Sequence, residues 1–242
     1  MMFRYSLVLL CLCISVALPA SQLKSDNCQR DNVLITYEDS LDYTHACQAI
    51  ETIINIFQKY HFETSEIIKI TFQEKVVIEI KSADKQMTVD EMQVYALYDS
   101  TINEMFVSKF NTPYIQSRKA FDFLQVTPSM HESIIVHELA HRFLHLYYRD
   151  VLNQKNPDHA THEFFAYYIQ INTLDNSDQN LVLALWPESE FTTDLSINSL
   201  VHGTHPHKFG VMSFRYAVNS DVITQILEGS FYSGDKILEN FI

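Results

Sequence analysis

The chain has 242 residues, of which 30 are acidic and 17 are basic, so its formal net charge is −13 at pH 7. Its basic residues form no run and do not alternate with aromatic residues, so nothing indicates a nucleic-acid partner. All four glycines follow residue 200, which excludes the glycine-rich phosphate loops of nucleotide-binding domains from the body of the chain.

The N-terminal segment has the pattern of a secretory signal peptide. Residues 1–20 combine a basic start at Arg4, an apolar stretch over 6–18 and small residues near a cleavage point at 17–20. The apolar stretch is too short for a comfortable membrane span, and no later segment is long enough. We therefore expect an exported protein, periplasmic or secreted, with no stable membrane span after cleavage; an uncleaved anchor is the alternative.

The remainder, residues 21–242, fits a single domain without repeats or low-complexity linkers. It contains two cysteines, Cys28 and Cys47, and an even number of cysteines in an exported chain favours a disulfide. Such a bridge would close a loop of about 18 residues and contribute about 3 kcal/mol. Free buried thiols are the alternative.

The hydrophobic periodicity predicts strands in the first half of the chain and helices in the second. One long helix is expected over 41–60, and strands are expected at 33–37, 66–72, 75–80, 93–98 and 104–110. From residue 127 onward the pattern predicts helices over 128–149, 157–173, 178–185, 206–218 and 221–229. A mixed sheet with one long helix, followed by a helical half, is an α+β arrangement.

The helix over 128–149 carries the sequence His137-Glu138-Leu139-Ala140-His141, and Thr127-Pro128 supplies its N-cap and first residue. Histidines four residues apart stack on one face of a helix and can share one metal ion. Glu138 lies beside that ion, where a carboxylate can take a proton from metal-bound water. The pattern therefore indicates a zinc site, although two surface histidines or a structural pair would also fit it.

A catalytic zinc usually has three protein ligands and keeps a fourth position for water. His145 lies about 12 Å along the helix from His137, too far for one ion, and we interpret it as a surface residue. The better candidate is Glu163, in the helix over 157–173 that Asn156-Pro157 is expected to start. With antiparallel helices Glu163 comes level with the two histidines, and Ala166 permits a close approach. His159 and Asp158 are rivals, and a site without a third ligand in this helix is also open.

The sequence HELAH, followed about twenty residues later by a glutamate on a second helix, resembles the gluzincin branch of the HExxH zincin metallopeptidases. The resemblance covers roughly residues 128–174. It implies a zincin-like fold, zinc bound by His137, His141 and Glu163, and Glu138 as the general base. The N-E-x-x-S-D signature of larger members is absent, which leaves the third ligand and the substrate class less defined.

In such enzymes the strand just before the active-site helix binds an extended substrate by edge pairing. The resemblance therefore implies that the segment 101–110 is a substrate-binding edge strand. An ordinary internal strand is the alternative.

Further side chains could stabilise the transition state or support the metal ligands. Three histidines lie close together in the sequence, at His202, His205 and His207. Such residues could bind metal or donate to an oxyanion, although exposed loop histidines are commoner. His159, Tyr167 and His205 are the candidates that we select. The side chains that could also polarise the substrate carbonyl are Tyr167, Tyr168, Arg215 and Tyr216.

We therefore expect an exported zinc-dependent hydrolase, namely a metallopeptidase that acts on a peptide or protein substrate. No nucleic acid is expected as a partner, and the oligomeric state is left open. The alternative is a non-enzymatic exported protein that keeps a zincin scaffold for binding or assembly, but an intact Glu138 has no use in a purely structural metal site.

Overall fold

The computed structural model describes residues 23–80 and 90–239, and the predicted signal segment 1–20 lies outside them. The strands of the described part are β1 (Lys24–Asp26), β2 (Val33–Tyr37), β3 (Ile68–Gln73), β4 (Val76–Ile80), β5 (Asp90–Val94), β6 (Ala96–Asp99), β7 (Glu104–Ser108), β8 (Lys119–Ala120) and β9 (Leu124–Gln125). The helices are α1 (Ser40–Gln58), α2 (Pro113–Ser117), α3 (Pro128–Asp150), α4 (His159–Thr173), α5 (Asn176–Ala184), α6 (Ser199–Thr204), α7 (Pro206–Val218), α8 (Val222–Leu227) and α9 (Gly234–Glu239).

A mixed five-stranded sheet forms one layer of the N-terminal half, with the strand order β1-β2-β3-β7-β6. Strands β2, β3 and β7 are parallel, and β1 and β6 are antiparallel to their neighbours. Ile35 and Ile70 are cross-strand partners and both are fully buried, because alternate side chains of a strand face the same side of the sheet. The expected α+β class with a mixed sheet is confirmed.

The long helix α1 packs against β2 and against the later helix α3. It begins where the Asp39 side chain accepts the Leu41 N–H, as an N-cap residue does. Near its C-terminal end the buried ring of Phe57 contacts Phe143 and Tyr147 of α3, with centroids 5.4 and 5.7 Å apart. These aromatic contacts join the sheet-bearing half of the molecule to the helical half.

Helix α4 packs against both α3 and α7. Ala166 of α4 is fully buried, and its small side chain suits the close approach expected between α3 and α4. On the other side, Gly210 of α7 faces Tyr167, and a Cβ atom at that glycine would lie 2.5 Å from Tyr167 Cδ1. A residue larger than glycine would therefore force α7 and α4 apart.

The expected disulfide is present, since Cys28 is bonded to Cys47 with their Cα atoms 5.5 Å apart. It ties the loop after β1 to the middle of α1 and thereby restrains the chain at the outer edge of the sheet. No helix among residues 23–80 and 90–239 combines the length and the apolar character needed to cross a membrane.

The expected strand over 93–98 is wrong as a single element. Its first residues end β5, which pairs with β4 in a separate two-stranded ladder, and its last residues form β6 of the main sheet. The change occurs at Tyr95, whose carbonyl accepts the Ser108 N–H. Because the two-residue alternation continues through both strands, it does not reveal the change of partner.

The expected edge strand over 101–110 is also wrong. The strand found there, β7, is paired on both sides, with β3 and with β6. Met105 and Val107 are buried accordingly. The outermost strand on this side of the sheet is β6, which pairs with β7 alone among the described strands.

The start of α4 differs from the expected N-cap at Asn156. The cap is Asp158, whose carboxylate accepts the backbone N–H and the hydroxyl of Thr161 at 3.0 and 2.9 Å. The Asn156 side chain instead contacts His145, 2.5 Å away. The Asp158 carboxylate thus caps α4, and it does not belong to the group of side chains that converges with His137 and His141.

Candidate metal centre

Helix α3 presents His137 and His141 one turn apart on the same face. Their Nε2 atoms lie 3.2 Å apart, and their side chains are 12% and 19% exposed. The helix is held in place by the Thr127 cap, whose side chain accepts the Met130 N–H, and by its fully buried Leu139. Both ring nitrogens therefore point to one spot at the surface of a rigid element.

Helix α4 brings Glu163 to the same spot. Its Oε2 lies 3.6 Å from His137 Nε2 and its Oε1 lies 3.6 Å from His141 Nε2. The three ligand atoms lie within 4.8 Å of one another, and no other group of three histidine, cysteine or acidic side chains among the described residues converges in this way. Two imidazoles and one carboxylate form a donor set that suits zinc.

The electrostatics differ among the three residues. Burial lowers the pKa of His137, but its hydrogen bond to Glu163 and the charge of that carboxylate outweigh burial and raise this pKa above its usual value. Burial and the neighbouring His137 lower the pKa of His141 to about 3. Burial alone would raise the pKa of Glu163, but His137 and His141 together lower it below its usual value. The carboxylate is therefore ionised and His141 is neutral at neutral pH, which is the protonation state that metal ligands require.

Glu138 lies next to the converging group without belonging to it. Its Oε2 accepts the backbone N–H of Tyr98 at 3.0 Å, so the edge strand β6 orients this carboxylate. Burial raises the pKa of Glu138, against the lowering effect of His137. A raised pKa brings a carboxylate closer to the range in which it exchanges protons at neutral pH.

Two cavities meet at His137 and Glu138. The first, of about 460 Å³, extends past β6 towards the start of α4 and is bordered by Leu97, Tyr98, Pro157 and His159. The second, of about 430 Å³, is mainly apolar and is lined by Tyr95, Phe121, Ile134, Tyr167 and Pro206. Both include Val94 and Ala96, so a cleft runs along the edge of the sheet on both sides of the candidate metal centre.

The other residues selected from the sequence differ in their distance from this centre. Tyr167 packs its ring on His137, with centroids 4.7 Å apart, and lines the apolar cavity. His159 Nδ1 lies 3.8 Å from Glu163 Oε1, but its side chain is 60% exposed. His205 is exposed at the junction of α6 and α7, and its side chain makes no capping hydrogen bond.

Two neighbours of His205 lie at the cleft instead. His202 Nε2 is 3.4 Å from Glu163 Oε2, and His207 lines the apolar cavity with its Nδ1 2.9 Å from Asp122 Oδ1. His202 lies in the short helix α6, which was not expected from the sequence. The signal that could have indicated this helix is its N-cap residue, Asn198. His207 and Asp122 meet only through tertiary structure, because Asp122 lies in the turn between β8 and β9.

The remaining candidates for polarising a carbonyl make other contacts. Arg215 donates to the backbone carbonyls of Leu183, Trp186 and Ser189. Tyr216 donates to Asp194, and the Tyr168 ring stacks on Phe214. These contacts join α7 to α5 and the loop after it, to the turn at residues 194–196 and to α4.

A family model described as "Family of unknown function (DUF6639)" matches residues 33–235. The chain belongs to this family. The matched span includes the sheet from β2 onward and every residue of the candidate metal centre. No curated protein and no solved structure matches the chain.

Proposed function

We propose that this member of the DUF6639 family is an exported zinc-dependent peptidase with a zincin-like fold, of the gluzincin type. The observation that carries the proposal is the convergence of His137, His141 and Glu163, with Glu138 held beside them by the backbone of β6. The disulfide supports export, because such bonds persist in oxidising compartments.

Zinc bound by these three residues would lower the pKa of a water ligand to about 7 and polarise the carbonyl under attack. Glu138 would take the proton of the attacking water and then pass it to the leaving amine. Its hydrogen bond from Tyr98 fixes one carboxylate oxygen, which leaves the other oxygen to face the cleft.

The edge strand β6 supports a peptide as the substrate. Backbone groups of a strand alternate in direction with a period of two residues. The backbone N–H of Tyr98 points away from β7 to Glu138, so the backbone groups of Ala96 also point away from β7. Ala96 borders both cavities, and outward-facing backbone groups of an edge strand are suited to pair with an extended peptide. We therefore assign to β6 the pairing with an extended substrate that was expected of residues 101–110.

His207 lines the apolar cavity together with His137 and Glu138, whereas His159 borders the other cavity. The ring N–H of a histidine can donate a hydrogen bond to an oxyanion that develops on the scissile carbonyl. We therefore assign to His207 the transition-state role that the sequence had suggested for His205.

The test is Glu138→Gln, compared with the wild type in hydrolysis of a broad peptide library by the zinc-loaded protein. The amide oxygen of Gln can still accept from Tyr98, but it cannot take a proton at neutral pH. We expect zinc to be retained and hydrolysis to fall by a factor of about 10² to 10⁴. Glu132→Gln is the matched control, because Glu132 is a half-buried glutamate of the same helix outside the site.

Equal hydrolysis by Glu138→Gln and the wild type would reject Glu138 as the base. Zinc binding without cleavage of any peptide by the wild type would favour the non-enzymatic alternative, a binding or assembly protein on the same scaffold.

A further inference from the structure

Glu163 is surrounded by imidazoles on two sides. His137 and His141 approach it from α3, at 3.6 Å from Oε2 and Oε1 respectively. Two more imidazoles approach it from α6 and from α4 itself: His202 Nε2 lies 3.4 Å from Oε2, and His159 Nδ1 lies 3.8 Å from Oε1. The first pair is accounted for by the proposed metal centre, whereas the second pair has no role in it.

Of this second pair, His202 is the one that is fixed in place. Its side chain is 16% exposed, against 60% for His159. Its ring packs edge-on against Phe209, with centroids 5.2 Å apart, and lies 6.1 Å from the ring of Tyr167. This packing holds Nε2 3.4 Å from Oε2 of the Glu163 carboxylate.

The helix that carries His202 is itself anchored. The Asn198 side chain caps α6 by accepting the Val201 N–H at 3.0 Å. The Ser199 N–H donates to Asp235 at 3.0 Å, which ties the start of α6 to α9. The position of His202 is therefore set by elements that lie outside the candidate metal centre.

We propose that His202 is a positioning residue for Glu163, whose carboxylate it holds towards His137 and His141 by donating its Nε2–H to Oε2. The inference rests on the proposed metal centre and extends it. A carboxylate has about four lone-pair positions, so Oε2 can accept from His202 while the group still binds a metal. Hydrogen bonds to the ligands of a metal orient them and strengthen binding.

The test uses two variants that separate the hydrogen bond from the packing of the ring. His202→Phe keeps an aromatic ring against Phe209 but has no donor, whereas His202→Gln keeps an N–H donor on a shorter side chain. Zinc affinity is measured for each purified protein by competition with a chromogenic chelator, and melting of the metal-free proteins reports on the fold.

We expect His202→Phe to bind zinc about 10- to 100-fold more weakly than the wild type, and His202→Gln to recover part of that loss. The matched control is His205→Phe, three residues away and exposed, which should bind zinc like the wild type. The metal-free melting temperatures of the two phenylalanine variants should stay close to that of the wild type.

Wild-type zinc affinity in His202→Phe would overturn the positioning role and leave the metal centre standing. An equal loss in His202→Phe and His202→Gln would also overturn it, since packing alone would then explain the effect. A wild type that binds no zinc would instead reject the metal centre, and the positioning role with it.

Discussion

Two pairs of histidines involve helix α3, and they have opposite characters. His137 and His141 bring their Nε2 atoms to 3.2 Å from each other beside Glu163, at the floor of a cleft. Six residues before His137, His131 brings its Nδ1 to 2.9 Å from Nδ1 of His45 on α1. The second pair is almost completely buried, with 1% and 3% exposure.

The hydrogen bonds of the buried pair fix its protonation. His131 Nε2 lies 2.8 Å from the carbonyl oxygen of Ser108, and a carbonyl can only accept, so Nε2 of His131 carries the hydrogen. Its Nδ1 must then accept from Nδ1–H of His45. Burial lowers the pKa of both residues, that of His131 to about 4.

The difference between the pairs shows what makes a metal centre here. Close approach of two imidazoles is common to both. Only the His137–His141 pair turns ring nitrogens towards a carboxylate and an open cleft. The ring nitrogens of His131 and Nδ1 of His45 instead form hydrogen bonds inside the core. We therefore expect the first pair to act in binding and the second in stability.

The largest expected effect is on zinc binding at the cleft. His137→Ala should abolish tight binding, while the metal-free protein keeps a melting temperature near that of the wild type. Because a ligand bound only by the folded state stabilises it, zinc at about 1,000 times its dissociation constant should add about 4 kcal/mol to the wild type and almost nothing to the variant. Thermal melts with zinc and with a chelator measure this difference.

Chelator-insensitive melting of the wild type would remove the contrast between the two pairs, since neither would then bind metal.

The buried pair should show the reverse pattern. His131→Ala leaves the Ser108 carbonyl and the His45 N–H without partners and opens a cavity, so we expect unfolding to become easier by about 2–4 kcal/mol. Zinc affinity of the folded variant should be unchanged. Urea unfolding of the metal-free protein measures the loss, and His205→Ala, at an exposed position, should change stability by less than about 0.5 kcal/mol.

Zinc binding that weakens in His131→Ala as much as in His137→Ala would mean that the two pairs act as one unit.

A smaller effect concerns the pH dependence of the buried region. Asp42 lies one turn before His45, accepts the Phe110 N–H at 2.9 Å, and burial raises its pKa to about 6. Because its folded pKa exceeds the unfolded value of 3.8, Asp42 favours folding at low pH, and this contribution is lost as the pH rises through 6. The lowered pKa of His131 acts in the opposite direction, since it disfavours folding as the pH falls below 6.5.

As the pH rises from roughly 4 to 6, the wild type should lose this contribution of Asp42 and Asp42→Asn should not. The free energy of unfolding of Asp42→Asn should therefore increase relative to that of the wild type by about 1.4 kcal/mol per pH unit. Urea unfolding of the two metal-free proteins at pH 4, 5 and 6 measures the difference. A difference that is the same at all three values would show that Asp42 titrates alike in the folded and unfolded states.

The parts of this account that the sequence predicts are those that depend on local signals. The helix with His137 and His141 follows from its cap and its four-residue spacing, and Glu163 follows from the heights of two neighbouring helices. The disulfide follows from the count of cysteines. The α+β order follows from the change of period at residue 127.

The remaining features depend on contacts between distant residues. The pairing of His45 with His131 spans 86 positions, and no local pattern indicates it. The resemblance implied an edge strand at residues 101–110, just before the helix with the histidines, and alternation along a strand does not tell which strand of a sheet is outermost. His202 was passed over for His205 because the six residues of α6 make fewer than two turns, which is too short for a helical pattern to be recognised in the sequence.

The central claim is that zinc is bound by His137, His141 and Glu163. A crystal structure of the zinc-loaded mature protein, with anomalous data at the zinc absorption edge, tests it most directly. We expect one anomalous peak with both imidazole nitrogens and a carboxylate oxygen at about 2.0–2.2 Å. No peak at this position, or zinc bound there with Glu163 directed away from it, would contradict the account.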